Sequence, residues 1–322
     1  MSDYKSLTAR ECAEILLKAE NPTVVMHRRP DGDAAGSAAA LIEIFKALGK
    51  EASYACADPI PQRLAFLLEG KKMAGNLDGR TIITIDVASA DQLGALKDKI
   101  PSPVLMIDHH AVGVPFADNF ILPDASSAAE VLMHVIDELI KMEKLYMSKD
   151  IAYPLYASIS SDTGGFIYSN ASAKTYHRAA TLIETGIDAA DINHKLFNSK
   201  SKEQIRAEGY IASKISTALD GKVAYATLSL DERKNLGIAT EYFETAIDVI
   251  RALLGAKIAF FVRENDDKSI RASLRSTGAD VASIALKFGG GGHIRAAGCS
   301  PMAKNPEEAA EMIIEEIKKT EI

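Results

Sequence analysis

The sequence is short of the features that mark secreted, membrane-spanning or disulfide-rich proteins. Its three cysteines are too few and too scattered for a disulfide framework or a thiolate metal site, which suits a reducing compartment. The most apolar stretch, residues 249–262, is interrupted by Arg251 and Lys257, so no run reaches the roughly 18 residues that a bilayer span needs. No segment resembles a signal peptide, and we expect a cytoplasmic protein without a membrane partner.

Positive charge is also in short supply. Lys and Arg number 37 against 44 Asp and Glu, which gives a net charge of -7. Binding along duplex DNA needs many cationic phosphate contacts, so we expect no long duplex DNA partner. The chain is 47% hydrophobic and 25% charged, as globular proteins are, and its 322 residues exceed what one core usually holds. We therefore expect two domains.

Short apolar segments alternate with helical patterns in the first half of the chain. Four of them are rich in Val, Ile or Thr and apolar on both faces, which predicts buried strands at residues 23–29, 51–56, 80–88 and 103–110. A helical pattern at 37–50 lies between the first two. Buried strands separated by helices predict an α/β fold with a parallel sheet.

The second half predicts helices and then a smaller α/β unit. Helical patterns dominate residues 126–185, and the charged segment 190–209 predicts an exposed helical connector with little to bury. Further strands are predicted at 222–230, 257–265 and 269–276, with helices near 241–254, 280–287 and 306–319. The predicted domains are residues 1–188 and 216–322, joined by a connector at 189–215.

Acidic and histidine side chains follow three of the predicted strands, and one more carboxylate ends an otherwise apolar helix. These residues are His27, Asp31, Asp33, Asp86, Asp108, His109, His110 and Asp162. Ligands of open α/β sheets collect at the carboxyl ends of the strands, so we expect these groups to converge. The helix-end carboxylate is costly unless something compensates its charge.

A set of several carboxylates and imidazoles without a thiolate suits Mn²⁺ or Mg²⁺ better than zinc. One divalent ion would leave buried negative charge uncompensated, and two ions about 3.5–4 Å apart are a recurring device for phosphate ester hydrolysis. Taken singly, Asp86 is also typical of a helix N-cap, and Asp31 and Asp33 of a turn. Their joint occurrence at successive strand ends favours the metal hypothesis.

Five motifs in chain order carry a family resemblance. The segments "HRRPDGDAAGS", "TIDVAS", "MIDHH" and "SSDTGGFIYSN" resemble the motifs of the DHH phosphoesterase superfamily. The segment "SLRSTGADVASIALKFGGGGHIRAAG" resembles its DHHA1 substrate-binding domain. Within the superfamily the sequence is most similar to the bacterial nano-RNase/pAp-phosphatase group. These cytosolic enzymes trim very short oligonucleotides and dephosphorylate 3′-phosphoadenosine 5′-phosphate (pAp).

The resemblance implies how the metal ligands divide. One ion would be held by His27, Asp31 and Asp86, and the other by Asp33, His109 and Asp162. Asp86 would bridge the two ions, which are expected to be Mn²⁺, with Mg²⁺ or Co²⁺ as alternatives. The implied activity is that of a manganese-dependent phosphoesterase and exonuclease of short oligonucleotides.

The resemblance also implies roles beside the metals. Asp108 would orient a neighbouring imidazole, and His110 would face the scissile phosphate as hydrogen-bond donor or general acid. Relatives often have asparagine before the motif proline, where this sequence has Arg29. We expect this departure to leave metal binding intact and to change contacts at the pocket rim.

The glycine run before His293 is a candidate binding site for a nucleotide. Consecutive glycines let backbone N–H groups approach an anion, although such a run alone is also typical of a flexible turn. A guanidinium can fork onto a phosphate with help from a hydroxyl. The resemblance implies substrate binding by Arg275, Ser276, Gly290, Gly291, Gly292 and His293.

We expect short single-stranded RNA or DNA oligonucleotides or nucleotides as partners, and a homodimer is a candidate assembly. One alternative activity is a phosphodiesterase of cyclic dinucleotides or of their linear dinucleotide products. A family II pyrophosphatase shares the metal motifs but differs in its C-terminal domain. A nucleotide sensor without activity would lack a metal ligand, and none is missing from the motifs.

Overall fold

The computed structural model describes residues 4–320, which form two compact units that divide between Ser199 and Lys200. The division falls inside the connector predicted at residues 189–215. None of the helices in the described range has the length and apolar character needed to cross a bilayer. Each unit has its own sheet and its own core.

Unit 1 contains a parallel sheet of five strands in the order β2-β1-β3-β4-β5. The strands are β1 (Thr23–Val25), β2 (Ser53–Ala55), β3 (Ile82–Ile85), β4 (Leu105–Asp108) and β5 (Asn119–Ile121). The four predicted strands are present but shorter than predicted, because the residues at the ends of the predicted ranges already belong to loops. The fifth strand, three residues long, was not predicted. The parallel sheet and the α/β class are confirmed.

Helices cover one face of this sheet. They are α1 (Ala9–Lys18), α2 (Gly32–Ala47), α3 (Ala65–Leu68), α4 (Ala128–Lys141), α5 (Lys149–Asp162), α6 (Ala173–Glu184) and α7 (Ala189–Asn193). Val24 and Ile83 point into the core beneath these helices, whereas Val25 and Ile82 point into a smaller cluster on the opposite face. This alternation explains why the strands are apolar on both faces.

Helix α2 begins five residues before the predicted start at residue 37. Asp31 caps it, because its Oδ1 accepts hydrogen bonds from the backbone N–H groups of Asp33 and Ala34, each at 3.0 Å. The small residues that follow let α2 pack very closely on α5. A Cβ atom on Gly36 would lie 2.7 Å from the backbone oxygen of Pro154 in α5. The glycine is therefore required by the approach of the two helices.

The expectation that the connector has little to bury is wrong. Ile192 and Leu196 pack into the core of unit 1, and Ala207 and Ile211 pack into a core of unit 2. The residues of each pair are four positions apart, so a narrow stripe is buried in each half of this otherwise charged segment. The segment consists of α7, a π-helical turn at His194–Asn198, and α8 (Lys202–Ser213).

Unit 2 contains a mixed sheet of six strands in the order β10-β11-β9-β8-β7-β6. The strands are β6 (Ser216–Ala218), β7 (Val223–Leu228), β8 (Ile258–Glu264), β9 (Ile270–Ser276), β10 (Gly291–His293) and β11 (Ala296–Cys299). Its remaining α-helices are α9 (Leu230–Leu236), α10 (Ala246–Arg251), α11 (Val281–Leu286) and α12 (Pro306–Ile317). Only β7 and β8 pair in parallel. The three predicted strands are present, and the glycine run contributes a strand that was not predicted.

Candidate metal centre

The carboxyl edge of the unit 1 sheet carries the candidate donors. His27 follows β1, Asp86 directly follows β3, and His109 directly follows β4. Strand β3 lies between β1 and β4, so the three loops leave the sheet side by side. Helix α2 begins at this edge with Asp33 in its first turn, and α5 ends there with Asp162.

These side chains form three overlapping groups in which one donor atom per residue lies within 4.8 Å of the others. The groups are His27, Asp31 and Asp86; Asp33, His109 and Asp162; and Asp86, His109 and His110. The first two are the ligand sets implied by the family resemblance, and all six of their residues converge. Asp86 belongs to the first and third groups, and therefore links the two expected ligand sets.

The spacing of these atoms suits ligands of a shared cation. The Nε2 atom of His27 lies 3.5 Å from Oδ2 of Asp86, and Nε2 of His109 lies 3.5 Å from Oδ2 of Asp33 and 3.6 Å from Oδ1 of Asp86. These distances exceed those of good hydrogen bonds. Two ligands about 2.1 Å from one ion and 90–120° apart would themselves be about 3.0–3.7 Å apart.

The other ring nitrogens of the two histidines face backbone oxygens. The Nδ1 atom of His27 lies 2.7 Å from the oxygen of Arg28, and Nδ1 of His109 lies 3.3 Å from the oxygen of Ala125. A backbone oxygen can only accept, so Nδ1 carries the hydrogen and donates it. This arrangement is typical of metal-binding histidines, since it directs Nε2 toward the ion.

The burial and hydrogen bonding of the Asp86 side chain show whether these donors fit a cation. Its side chain is 2% exposed, and Oδ1 is buried without a hydrogen-bond partner. A buried carboxylate oxygen without a partner is strongly unfavourable. Its backbone has the left-handed φ of 57°, which a non-glycine residue adopts at a cost. A divalent cation bound beside His109, whose Nε2 lies 3.6 Å from this oxygen, would satisfy it, so the donor set fits a metal.

Asp33 is fully buried and is held by several donors. Its Oδ2 accepts a hydrogen bond from the backbone N–H of Ala128 at 2.7 Å. Its Oδ1 accepts from the hydroxyl of Ser37 at 3.0 Å and from the hydroxyl of Ser158 in α5. These serines were missed by the sequence prediction. Their spacing offered a signal, since Ser37 lies one helical turn after Asp33 and Ser158 one turn before Asp162.

Negative charge is crowded at this site. Burial, followed by the charge of Asp86, raises the pKa of Asp33 to about 7. Burial and the charges of Asp33, Asp31 and Asp86 raise the pKa of Asp162 well above its usual value. Burial alone would lower the pKa of His27, but Asp31 and Asp86 outweigh it and raise that pKa to about 12. Nearby positive charge would therefore stabilise the ionised carboxylates, and divalent cations would supply it.

His110 has a different environment from the other two histidines. Its Nδ1 lies 2.8 Å from Oδ1 of the buried Asp108 and 3.6 Å from Oδ1 of Asp86. Burial disfavours the charged ring, but Asp108 outweighs this effect and raises the pKa of His110 to about 9. Asp108 thus holds His110 in place and favours its protonated form, as a hydrogen-bond donor or general acid requires.

Arg29 occupies the turn between His27 and Asp31 with a left-handed φ of 56°. Asparagine adopts this conformation more readily than arginine. The Arg29 side chain is exposed and forms no ion pair within the described residues.

The candidate nucleotide-binding residues lie at one edge of the unit 2 sheet. Arg275 pairs with Ala296, and Ala296 pairs with His293, so the three form one row across β9, β11 and β10. Directly paired residues project on the same face of a sheet, and Arg275 and His293 are therefore about 10 Å apart along the row. The hydroxyl of Ser276 donates to the backbone oxygen of Ala279, so Ser276 already has a partner.

The glycines of the run differ in what requires them. A Cβ on Gly290 would lie 2.1 Å from the backbone oxygen of Gly298, and one on Gly292 would lie 2.5 Å from that of Ala296. Close packing on β11 therefore requires these two glycines. A Cβ on Gly291 would meet nothing within 4 Å, and its φ is not positive. Of the three candidate glycines, Gly291 is therefore the one whose side-chain space is open.

Comparison with known proteins agrees with this architecture. Residues 22–159 match the DHH family, N-terminal domain, and residues 220–319 match the DHHA1 domain. The chain is 30% identical to the bifunctional oligoribonuclease and PAP phosphatase NrnA of Thermus thermophilus, over 96% of this chain and 93% of that protein. It is 26% identical to the cyclic-di-AMP phosphodiesterase GdpP of Bacillus subtilis, over 93% of this chain and 48% of that protein.

Among solved structures, an exopolyphosphatase-related protein from Bacteroides fragilis superposes with a TM-score of 0.88 at 23% identity, covering 99% of this chain and 98% of that one. This likeness supports the fold. The two family matches and the relative that is 30% identical along almost the whole chain lead to one further conclusion. The chain belongs to the DHH/DHHA1 family of phosphoesterases.

Proposed function

We propose that this protein is a divalent-metal-dependent phosphoesterase that hydrolyses short oligonucleotides to mononucleotides and pAp to AMP. The observation that carries the proposal is the position of Asp86, whose buried and unpartnered oxygen lies within reach of donors from both ligand sets. The substrate class is supported by the Thermus thermophilus relative, whose name gives both activities and which matches this chain through both units.

In this proposal the two ligand sets each hold one ion. They are His27, Asp31 and Asp86, and Asp33, His109 and Asp162. Bound ions would supply Lewis-acid charge at the phosphate and lower the pKa of a coordinated water. Mn²⁺ is the ion we propose, with Mg²⁺ and Co²⁺ as alternatives, because the donors are carboxylate oxygens and imidazole nitrogens.

His110 has the proton that the leaving group needs. When a phosphate ester bond breaks, the departing ribose oxygen gains negative charge and is most stable if it receives a proton. Asp108 raises the pKa of His110 and fixes the orientation of the ring through Nδ1. His110 would then donate a hydrogen bond to the phosphate or the proton to the leaving oxygen.

The second unit would recognise the nucleotide. Arg275 offers a guanidinium for a phosphate, His293 lies on the same sheet face, and Gly291 leaves room for a close backbone approach. A nucleotide end bound in this way would favour substrates of a few residues. Long single strands would gain little, because the net charge of -7 provides no extended cationic track.

A second candidate activity is hydrolysis of cyclic dinucleotides or of their linear products. The match to the cyclic-di-AMP phosphodiesterase of Bacillus subtilis favours it, although this chain spans only 48% of that protein. A sensor that binds nucleotides without hydrolysing them is disfavoured, since all six expected metal donors are present and converge.

A substrate panel tests the proposal. pAp, RNA of two to five nucleotides, linear diadenylate and cyclic di-AMP would each be incubated with Mn²⁺, Mg²⁺ or Co²⁺, and the products resolved by chromatography. We expect AMP from pAp and mononucleotides from the short RNAs, and no products with Asp86→Asn. Turnover of cyclic di-AMP alone would favour the second activity. The phosphoesterase assignment fails if the wild type hydrolyses none of these substrates, or if Asp86→Asn retains full turnover.

A further inference from the structure

Two donors of the second ligand set are held by the short stretch 125–128, which leads from β5 into α4. The backbone N–H of Ala128 donates to Asp33 at 2.7 Å. The backbone oxygen of Ala125 accepts from Nδ1 of His109 at 3.3 Å. The same few backbone atoms therefore set the position of the Asp33 carboxylate and the direction of the His109 ring.

The third donor of this set is connected to the same stretch. The side-chain amide nitrogen of Asn170 donates to the backbone oxygen of Ser126 and to the backbone oxygen of Asp162, both at 3.1 Å. Within residues 4–320, no hydrogen bond links stretch 125–128 to His27 or Asp31. The stretch thus supports one ligand set and not the other.

A buried carboxylate fixes this stretch. Glu130 in the first turn of α4 is 4% exposed and forms no ion pair with any described residue. Its Oε2 accepts from the backbone N–H of Ser126 at 2.9 Å, from the Ser126 hydroxyl at 2.6 Å and from the Thr175 hydroxyl at 3.0 Å. The usual capping position of α4 is already filled by Ser127, which accepts from the N–H of Glu130 at 3.1 Å.

Glu130 is therefore more than a helix cap. Burying a carboxylate is costly, and three hydrogen bonds to one oxygen offset that cost only if Ser126 and Thr175 keep their present positions. Thr175 belongs to α6, so Glu130 fixes stretch 125–128 against a second helix.

We propose that Glu130 is a positioning residue for the metal held by Asp33, His109 and Asp162, and not for the metal held by His27, Asp31 and Asp86. The inference rests on the proposed two-metal function. Glu130 touches no metal donor itself. It acts through stretch 125–128, whose backbone atoms hold the donors of one ligand set.

Titration with Mn²⁺, followed by the electron paramagnetic resonance signal of the free ion, tests this inference without measuring activity. Glu130→Gln keeps the size of the side chain and one accepting oxygen but removes the negative charge, so the hydrogen bonds from Ser126 and Thr175 lose their charge assistance. Mutation of the groups that orient metal ligands typically costs about 10–100-fold in metal affinity. We expect the Mn²⁺ affinity to fall by this factor at one class of metal site and to stay unchanged at the other class.

Two variants, one in each proposed ligand set, identify which class of metal site is which. Asp162→Asn should weaken the site that Glu130→Gln weakens, and Asp31→Asn should weaken the other. Asn170→Ala removes the connection of stretch 125–128 to Asp162 at an exposed position, so it should resemble Asp162→Asn in a milder form. Thr175→Val removes a donor to Oε2 of Glu130 and should weaken the same site, so it decides the matter if Glu130→Gln does not fold.

Glu138→Gln is the matched control, because Glu138 lies on the same helix and, among the described residues, its side chain pairs only with Lys141 at 2.6 Å. It should bind both ions as the wild type does. If Glu130→Gln and Asn170→Ala weakened both classes equally, or neither, Glu130 would have no selective role. If the wild type bound no Mn²⁺, the proposed two-metal function itself would be wrong.

Discussion

Replacing Gly36 by alanine perturbs the closest contact between α2 and α5. The added Cβ would lie 2.7 Å from the backbone oxygen of Pro154 and 2.8 Å from Cβ of Ser158, whereas ordinary contact begins near 3.4 Å. The two helices would have to separate by about 0.6–0.7 Å to relieve these clashes. Both contacts involve the backbone or the first side-chain atom of α5, which cannot rotate away.

The expected effect on stability is small. Alanine in a helix interior is favoured over glycine by about 1 kcal/mol, and overpacking a tight interface costs about 1–3 kcal/mol. The free energy of unfolding should therefore fall by roughly 0–2 kcal/mol.

The effect on activity should be larger. Ser158 donates to Asp33, and α5 also carries Asp162, so separation of the helices moves two candidate metal donors apart. Misplacement of catalytic groups by about 1 Å can cost about 10²-fold in rate. We expect Gly36→Ala to lose about 10–100-fold in turnover of pAp.

Gly209→Ala is the matched control. Gly209 is exposed in helix α8, and a Cβ there would meet nothing within 4 Å. This variant should gain up to about 1 kcal/mol in the free energy of unfolding and keep full turnover. Urea denaturation and a phosphate-release assay with pAp would be run on both variants. A Gly36→Ala variant with the same gain in stability and wild-type turnover would refute the reasoning.

Five other substitutions have distinct expected outcomes. Asp86→Asn should abolish turnover and lower the amount of bound Mn²⁺, measured by atomic absorption. It should not reduce the stability of the metal-free protein, because asparagine removes a buried charge and tolerates the left-handed backbone. His110→Ala should keep the metal content but lose about 10²–10⁴-fold in kcat; loss of metal would instead make it a ligand. Gly291→Ala and Arg275→Ala should weaken kcat/KM for short RNA far more than for bis(p-nitrophenyl) phosphate; an equal loss on both substrates would contradict nucleotide binding by this unit. Arg29→Asn should raise the free energy of unfolding by about 1 kcal/mol in urea titrations at unchanged metal content, because its φ is 56°.

The part of the site that could be predicted from the sequence lies directly after strands. His27, Asp86 and His109 each follow a run of buried apolar residues, and parallel strands bring such positions to one edge whatever the lengths of the connections between them. The pattern of apolar residues predicted the positions of these strands correctly. It overestimated their lengths, because a hydrophobic pattern does not show where pairing between strands ends.

The supporting parts of the site depend on contacts that sequence patterns do not show. Glu130 has the sequence context of an ordinary acid in the first turn of a helix, and its partner Thr175 is 45 residues away. Strand β10 was missed because glycines disfavour strands, and only its pairing with β11 explains their presence. The connector was misjudged because four buried residues among many charges form too narrow a stripe to predict burial.

All six candidate metal donors belong to residues 27–162, within a single compact unit. By thermodynamic linkage, an ion that binds only the native form raises the free energy of unfolding by about 2.7 kcal/mol when its concentration is 100 times its dissociation constant. This gain belongs to the unfolding of unit 1. Amide hydrogen exchange should therefore slow in strands β1, β3 and β4 when Mn²⁺ is added, while β7, β8 and β9 exchange as before. A chelator would accordingly make the chain vulnerable to proteases in its first 199 residues before the remainder.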